Sequence, residues 1–139
     1  YLRILTISVC ASLLLNGLLN THFYPSRILY QAGSTMAGKV AENNIPVDRI
    51  YKISEGHTWA LDFYNKNPVN ITTLTELMDM SDVWVYATDA ELEKMQRDGL
   101  DWSQQITVDQ FRITRLQMKF LNPNTRQQKL NRMHLVHLD

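Results

Sequence analysis

The sequence predicts an α/β fold with a mainly parallel sheet, helices on both faces of the sheet, an antiparallel C-terminal edge, and one apolar helix before it. Two capping boxes, TLTE at residues 73–76 and TDAE at 88–91, each follow a strand-like segment and open a helix. Residues 83–87 are apolar on both faces, as central parallel strands are. The last third of the chain alternates apolar and polar residues. These features predict right-handed βαβ units followed by antiparallel strands.

Residues 4–19 carry no charge and predict an apolar helix that ends just before Asn20. At 1.5 Å per residue this run covers roughly 24 Å, somewhat short of the roughly 30 Å hydrocarbon core of a bilayer. The chain starts at Tyr1 without an initiator Met. We therefore expect residues 1–24 to be the last transmembrane helix of a longer polypeptide and its exit, and residues 25–139 to be one extracytoplasmic α/β domain.

Ser8, Ser12, Asn16 and Asn20 recur every four residues along one side of this helix. Small and amide side chains let a neighbouring transmembrane helix approach closely, so upstream helices are the expected partners. Without those helices, we expect packing against a second copy or the soluble domain. One alternative is an amphipathic helix docked on a soluble core. A secretory signal peptide is another, but no small-x-small cleavage site follows the run.

The flanking residues predict the orientation of this helix. Arg3 precedes the apolar run, and no further Lys or Arg occurs before Arg27. Positive charge favours the cytoplasmic side, and the segment HFYP at residues 22–25 is typical of an interfacial aromatic belt. We therefore expect an inner-membrane protein whose soluble domain lies in the periplasm.

Local patterns predict the remaining elements in order. Apolar residues recur at helical spacing from Ile28 to Val40, which predicts an amphipathic helix from Pro25 to about Asn43. Gly33 lies on a smooth flank of this helix that favours close packing. Strands are predicted at residues 47–53, 69–71, 83–87 and 133–138, and helices at 58–66, 74–80 and 89–98. We expect the last strand to pair antiparallel with residues 115–120 at the edge of the sheet.

Composition and motifs exclude several classes of function. The net charge is zero, and aromatic and basic residues do not interleave, so nucleic acid is not an expected partner. The lone Cys10 lies in the apolar run and allows no disulfide or thiolate metal site. The sequence contains no glycine-rich phosphate loop, no GxSxG elbow and no Cys/His cluster. We therefore predict no cofactor, no metal and no catalytic residue in this stretch.

Two residues are candidates for ligand contacts on local grounds. His57 lies in a loop after a predicted strand, where open α/β sheets bind ligands. Arg126 follows an Asn-Pro-Asn-Thr turn and is suited to a bidentate contact with phosphate or carboxylate, or to holding its own loop.

Other polar and aromatic residues have structural explanations. His134 and His137 lie three apart on a strand and point to opposite faces, so they cannot share a metal. Asp89 and Glu91 lie at a helix start, where carboxylates act as caps. The three tryptophans are expected to be core or half-buried anchors: Trp59, Trp84 and Trp102.

Four segments together resemble the C-terminal region of bacterial membrane glycosyltransferases. They are FYP at 23–25, ILYQAG at 28–33, LDFY at 61–64 and KFLNPNTR at 119–126. The family is that of the dolichyl-phosphate-mannose protein mannosyltransferases, which are similar to the lipid A aminoarabinose transferases. The resemblance implies many membrane helices followed by an extracytoplasmic α/β domain. It also implies transfer of a sugar from a polyprenyl phosphate, with the catalytic acidic residues in an early loop outside this stretch.

The resemblance implies an accessory domain that covers a membrane active site and helps to receive the acceptor or the polyprenyl-phosphate donor. His57, Arg126 and Tyr30 are the candidate contact residues. A membrane-anchored α/β binding or sensor module without catalytic activity is the alternative. A free soluble enzyme is disfavoured, because no nucleophile, base and orienting group converge in the sequence.

Overall fold

The computed structural model describes residues 1–112 and 117–139, except for the side chains of residues 26 and 27. Within these residues the helices are α1 (Leu2–Leu18), α2 (Tyr24–Ile28), α3 (Ala32–Glu42), α4 (Trp59–Asn65), α5 (Leu74–Leu77), α6 (Asp89–Arg97), α7 (Met118–Leu121) and α8 (Pro123–Arg126). The strands are β1 (Ile50–Lys52), β2 (Asn70–Ile71), β3 (Val83–Thr88), β4 (Gln104–Gln110) and β5 (Asn131–Leu138). This arrangement confirms the predicted α/β fold.

The strands form one five-stranded sheet in the order β2-β1-β3-β5-β4. β1 is parallel to β2 and β3, whereas β5 is antiparallel to both β3 and β4. Consequently β1, β2, β3 and β4 all end at the same edge of the sheet, which is called the carboxyl edge below. β3 lies in the middle and its first five residues are buried, as the sequence predicted.

Two apolar cores cover the two faces of the sheet. On one face α3 and α4 pack over β1, β3, β4 and β5, with Met36 and Leu61 fully buried. On the other face α5 and α6 pack over β3 and β5, with Leu77 and Met95 fully buried. Each fully buried side chain of this size contributes about 1.5–3 kcal/mol relative to its exposed state. Helices on both faces therefore hold the sheet rigid beneath the loops of the carboxyl edge.

Both predicted capping boxes are present. Thr73 accepts from the backbone N–H of Glu76, and the Glu76 carboxylate accepts from the Thr73 N–H. Thr88 and Glu91 exchange the same two hydrogen bonds at the start of α6. Each box satisfies two backbone donors that a helix start leaves unpaired, which is why α5 and α6 begin where the sequence predicted.

The N-terminal helix does not end before Asn20, so that prediction is wrong. One wider helical turn, Leu19–Phe23, joins α1 to α2. The Thr21 hydroxyl donates to Gly17 O at 2.7 Å, and the Asn20 amide donates to Asn16 O at 2.9 Å. These bonds tie the polar end back onto the preceding turn. The apolar helix Leu2–Phe23 has 22 residues and is long and apolar enough to cross a membrane, since it covers roughly 33 Å.

The apolar helix does not pack on the α/β domain. None of the residues of α1 is buried. The two amides of the predicted polar stripe bond within the helix, because Asn16 donates to the backbone oxygen of Ser12 at 3.0 Å and Asn20 donates to that of Asn16. Two predictions are therefore wrong for the described part of the chain. The helix does not dock on a soluble core, and it does not pack on the α/β domain in place of neighbouring transmembrane helices.

α3 starts later than predicted. Leu29 and Tyr30 form a turn between α2 and α3, so the expected continuous helix from Pro25 is broken there. From Ala32 onward the predicted apolar face is buried in the core. The smooth flank packs closely as expected: a Cβ atom placed on Gly33 would lie 3.0 Å from the Cβ of Ala60 in α4.

The C-terminal pairing differs from the prediction. β5 pairs with β4 rather than with residues 115–120, of which 113–116 lie outside the described residues and 118–121 form α7. The register places Ile106 opposite Leu135 and Val108 opposite Met133. All four side chains contribute to the same core. β5 is therefore an inner strand, and β4 forms the edge.

Residues 47–49 also differ from the prediction, because they form a turn of 3₁₀-helix before β1 rather than the start of a strand. β1 is accordingly short.

Candidate functional site

A cleft opens at the carboxyl edge, on the face covered by α3 and α4. Its aromatic part has a volume of about 340 Å³, and its polar part has a volume of about 180 Å³. The two parts share four lining residues: His57, Thr58, Tyr86 and Gln110. The cleft lies just beyond the ends of β1 and β3, where open α/β sheets bind their ligands.

The aromatic part presents several rings to solvent. The His57 ring stacks on Trp59 with 4.4 Å between the ring centroids. Trp59 is 73% exposed, so the prediction that it is a core or half-buried anchor is wrong. Opposite this pair, Tyr30 and Phe111 line the cleft and both contact Phe120, edge-on and stacked respectively. The aromatic part therefore has the exposed His57–Trp59 pair on one side and, on the other, Tyr30 and Phe111 supported by Phe120.

Lys52 holds the loop that carries His57. It is the last residue of β1 and only 8% exposed. Its Nζ donates to Gly56 O at 2.7 Å and to the Thr58 hydroxyl at 3.1 Å. The Thr58 hydroxyl donates in turn to the Asp62 carboxylate at 3.0 Å, so it links the Lys52 ammonium group to a negatively charged side chain. A short hydrogen-bond relay thus fixes the loop over the polar part of the cleft.

Tyr86 lies on β3 and lines both parts of the cleft. The residue is 7% exposed, and among the described residues its hydroxyl has no hydrogen-bond partner. Burial, and to a lesser extent the charge of Glu91, raises the pKa of Tyr86 above its usual range. The phenol therefore stays a neutral donor. A buried, unpaired hydroxyl is costly, so its presence in a cleft points to a ligand that supplies the partner.

Glu91 adds an acceptor to the polar part. One of its carboxylate oxygens accepts from the Thr88 N–H at 2.7 Å and from the Thr88 hydroxyl at 2.8 Å. The capping box at the start of α6 therefore also fixes a carboxylate at the cleft. Gln110, at the end of β4, contributes an amide to the same lining.

Arg126 lies behind the cleft rather than in its lining. Its Nε donates to Phe120 O at 2.9 Å and its Nη1 donates to the Tyr30 hydroxyl at 3.3 Å. The guanidinium also lies 5.6 Å from the centroids of both rings. Arg126 therefore holds its own loop and braces Tyr30. Of the three predicted contact residues, His57 and Tyr30 line the cleft, and Arg126 supports one of them.

A second polar network lies on the opposite face and involves His134, which is 3% exposed. Trp102 Nε1 donates to Gln105 Oε1, so the Gln105 amide nitrogen must face His134 Nδ1, at 2.9 Å. Nδ1 is then an acceptor, and His134 Nε2–H donates to Asp89 at 2.9 Å. This bond, together with Arg132, holds the pKa of Asp89 below its usual range. Both ring nitrogens are used, so His134 is structural.

His137 is engaged at the other edge of the sheet. Its Nε2 lies 3.1 Å from an Asp82 carboxylate oxygen, and Asp82 also forms an ion pair with Arg49. The hydrogen bond to His137, followed by the charge of Arg49, lowers the pKa of Asp82. His137 and His134 contact different partners on opposite faces, as their spacing predicted. Sequence reasoning treated Asp89 as a local cap residue and missed its long-range partners His134 and Arg132.

Lys52 and Tyr86 are the residues of the cleft that sequence reasoning missed. The available signal was a polar residue at an inward-facing strand position. Lys52 and Tyr86 each lie two residues from a core residue of the same strand, so they point to the same face. Among the described residues, no group of three His, Cys, Asp or Glu side chains is placed to hold a metal ion.

No protein-family model, curated protein or solved structure matches this chain. The resemblance to membrane glycosyltransferases therefore stays a prediction, and the cleft is interpreted from its own chemistry. Aromatic faces pack against flat, partly apolar ligands, and the ammonium, carboxylate, amide and phenol groups beside them suit a ligand with several hydroxyls. The arrangement favours binding of a hydroxyl-rich ligand.

Proposed function

We propose that this chain is the extracytoplasmic accessory domain, with its lead-in membrane helix, of an integral-membrane glycosyltransferase. The enzyme would transfer a sugar from a polyprenyl-phosphate donor to a protein or lipid acceptor. The observation that carries the proposal is the position of the cleft. Tyr30 lines it and lies only two residues after α2, which continues the membrane-length apolar helix. A ligand in the cleft is therefore held beside the exit of that helix.

The lining supports a sugar as the group that is bound. Trp59 and His57 offer flat faces to the apolar side of a sugar ring. The Glu91 carboxylate can accept hydrogen bonds from the sugar hydroxyls, and the Gln110 amide can both donate and accept. The Tyr86 hydroxyl can donate. The domain would bind and orient the sugar, while the catalytic acids lie elsewhere in the polypeptide. His57, Tyr30 and the bracing Arg126 remain the proposed contact set.

The proposal also assigns a location. The apolar helix would anchor the chain in the inner membrane, with upstream helices beside it, and the domain would lie in the periplasm. The support is the charge distribution in the sequence, because Arg3 lies at the start of the helix and no Lys or Arg follows it until Arg27.

Trp59→Ala tests the cleft in the complete chain, reconstituted in nanodiscs and titrated with a polyprenyl-phosphate-linked hexose. Met78→Ala is the control, since it removes an exposed apolar side chain at the end of α5, outside the cleft lining. Loss of about 1.4 kcal/mol of binding free energy from stacking on the Trp59 ring should make the affinity of Trp59→Ala for the ligand tenfold weaker. The control should bind with unchanged affinity. Equal binding by both variants, or no binding by the unaltered chain, would overturn the proposal.

A membrane-anchored binding or sensor module is the second candidate. The supporting observation is that two hydroxyls of the cleft lining are held in structural hydrogen bonds, Thr58 between Lys52 and Asp62, and Thr88 in the capping box with Glu91. Sugar binding by the chain, combined with no transfer activity of the full polypeptide, would favour this candidate over the accessory domain.

A further inference from the structure

α4 exposes most of its aromatic surface. Trp59 and Phe63 lie four residues apart on one side and are 73% and 76% exposed, and Tyr64 beside them is also exposed. Of the seven residues of α4, only Leu61 is buried. A contiguous exposed patch of large apolar side chains in a folded domain marks a surface that something covers. Trp59, Phe63 and Tyr64 are called the aromatic face.

The aromatic face lies beside the exit of the apolar helix. Ala60, between its members, packs against Gly33 in the first turn of α3 so closely that a Cβ atom on Gly33 would lie 3.0 Å away. Gly33 is five residues beyond the end of α2 at Ile28. Ile28 and Leu29 are themselves exposed, so apolar surface continues from the membrane-length helix into the domain.

Positive charge accompanies this apolar surface. Between Asp109 and Asp139 the sequence contains no Asp or Glu and six Lys or Arg residues. Arg132 pairs with Asp89 on the opposite face of the sheet and Arg126 braces Tyr30, so neither supplies free charge here. In this segment α7 carries the exposed Met118 and Lys119, and its Phe120 contacts Tyr30 at the start of the domain. Basic residues beside exposed apolar residues match an interface with anionic lipid headgroups.

We infer that the aromatic face of α4 inserts into the headgroup region of the same bilayer that the apolar helix crosses. Trp and Tyr concentrate at membrane interfaces because their rings are apolar and their tips are polar. Trp59 also lines the cleft, so the mouth of the cleft opens at the membrane surface. The ligand is then one that the membrane presents, such as a lipid-linked sugar, rather than one free in solution. The inference rests on the membrane anchoring in the proposed function.

Site-directed nitroxide labels on the complete chain in nanodiscs with anionic lipid test the inference. In a Cys10→Ser background, single cysteines replace Phe63 in the aromatic face, Gln96 on the exposed side of α6, and Leu14 in the apolar helix. Gln96 is the matched control, because α6 covers the opposite face of the sheet. Collision with oxygen, which partitions into lipid, is compared with collision with a water-soluble nickel complex.

The expected result is high oxygen and low nickel accessibility at positions 14 and 63, and the reverse at position 96. Nickel accessibility at position 63 equal to that at 96, with position 14 in lipid, would overturn the inference and leave the proposed function standing. A position 63 shielded from both reagents would mean that protein covers the aromatic face, which also overturns it. A position 14 exposed to nickel would overturn the membrane anchoring itself. Phe63 is exposed, so its replacement should leave thermal unfolding unchanged.

Discussion

Individual residues of the cleft show where local sequence reasoning succeeds and where it fails. His57 was predicted because a loop that follows a strand lies at the carboxyl edge whatever the remaining topology. Lys52 and Tyr86 were missed because a polar residue in phase with the core residues of a strand marks an inward-facing position without indicating a function. Their significance comes from neighbours distant in sequence: Thr58 for Lys52, and Glu91 with Gln110 for Tyr86.

Tyr86→Phe should separate ligand binding from stability. Removal of a buried hydroxyl that has no partner should raise the free energy of unfolding by up to about 1 kcal/mol. The same change should weaken binding of the hexose donor about twofold to tenfold, because one hydrogen bond contributes about 0.5–1.5 kcal/mol. Urea unfolding and ligand titration measure the two effects.

Tyr51→Phe, on the opposite face of β1, is the control for this variant and should leave binding unchanged. A marked loss of stability in Tyr86→Phe would show that the hydroxyl has a partner in the folded protein and would remove the argument for a ligand there.

At the scale of elements, local signals were sufficient for the starts of α5 and α6 and for the central strand. Capping boxes act through three or four consecutive residues, so they survive in any tertiary context. The pairing of β5 was not local. Residues 115–120 and β4 both alternate, and the choice between them depended on which partner placed its apolar residues in the core with Leu135. Only the three-dimensional packing decides that.

Gly33→Ala should destabilise the domain, because the added methyl group would lie 3.0 Å from Ala60 Cβ and 3.1 Å from the Leu61 backbone nitrogen. Overpacking of this kind costs about 1–3 kcal/mol. Gly38 in the same helix is an internal control, since a Cβ there meets nothing within 4 Å. Gly38→Ala should stabilise the helix by about 0.5–1 kcal/mol.

Thermal unfolding of the two glycine variants, followed by circular dichroism, gives the comparison directly. Equal shifts in the same direction would show that α3 and α4 are not in close contact at Gly33, and would also weaken the placement of the aromatic face beside the helix exit.

At the scale of the whole molecule, charge pairing across the sheet sets the response to pH. The pKa values of Asp82 and Asp89 are both held below their ordinary value of 3.8, mainly by hydrogen bonds from His137 and His134. A carboxyl whose folded-state pKa is lowered stabilises the fold above its unfolded-state pKa. That stabilisation is lost as the pH falls from about 3.8 through the lower folded-state values. Both side chains are partly exposed, so each contribution is small.

We expect titration of these two carboxyls to leave the free energy of unfolding unchanged above pH 5. Below pH 4 their protonation should lower it. The double variant Asp82→Asn, Asp89→Asn should show a shallower fall between pH 4 and 2 than the unaltered chain. Asp98→Asn, exposed at the end of α6, is the control. An identical acid limb for the double variant and the unaltered chain would contradict the assigned partners.

The sequence by itself determined the α/β class, the apolar helix, the capping boxes and the loop of His57, because each depends on residues within one or two turns or on strand alternation. Only the tertiary structure decided the order of the strands and the exposure of Trp59. It also brought Lys52, Tyr86 and Glu91 into one cleft. These features depend on which distant surfaces pack together, and burial of apolar area between remote segments is a property of the folded chain rather than of a local pattern.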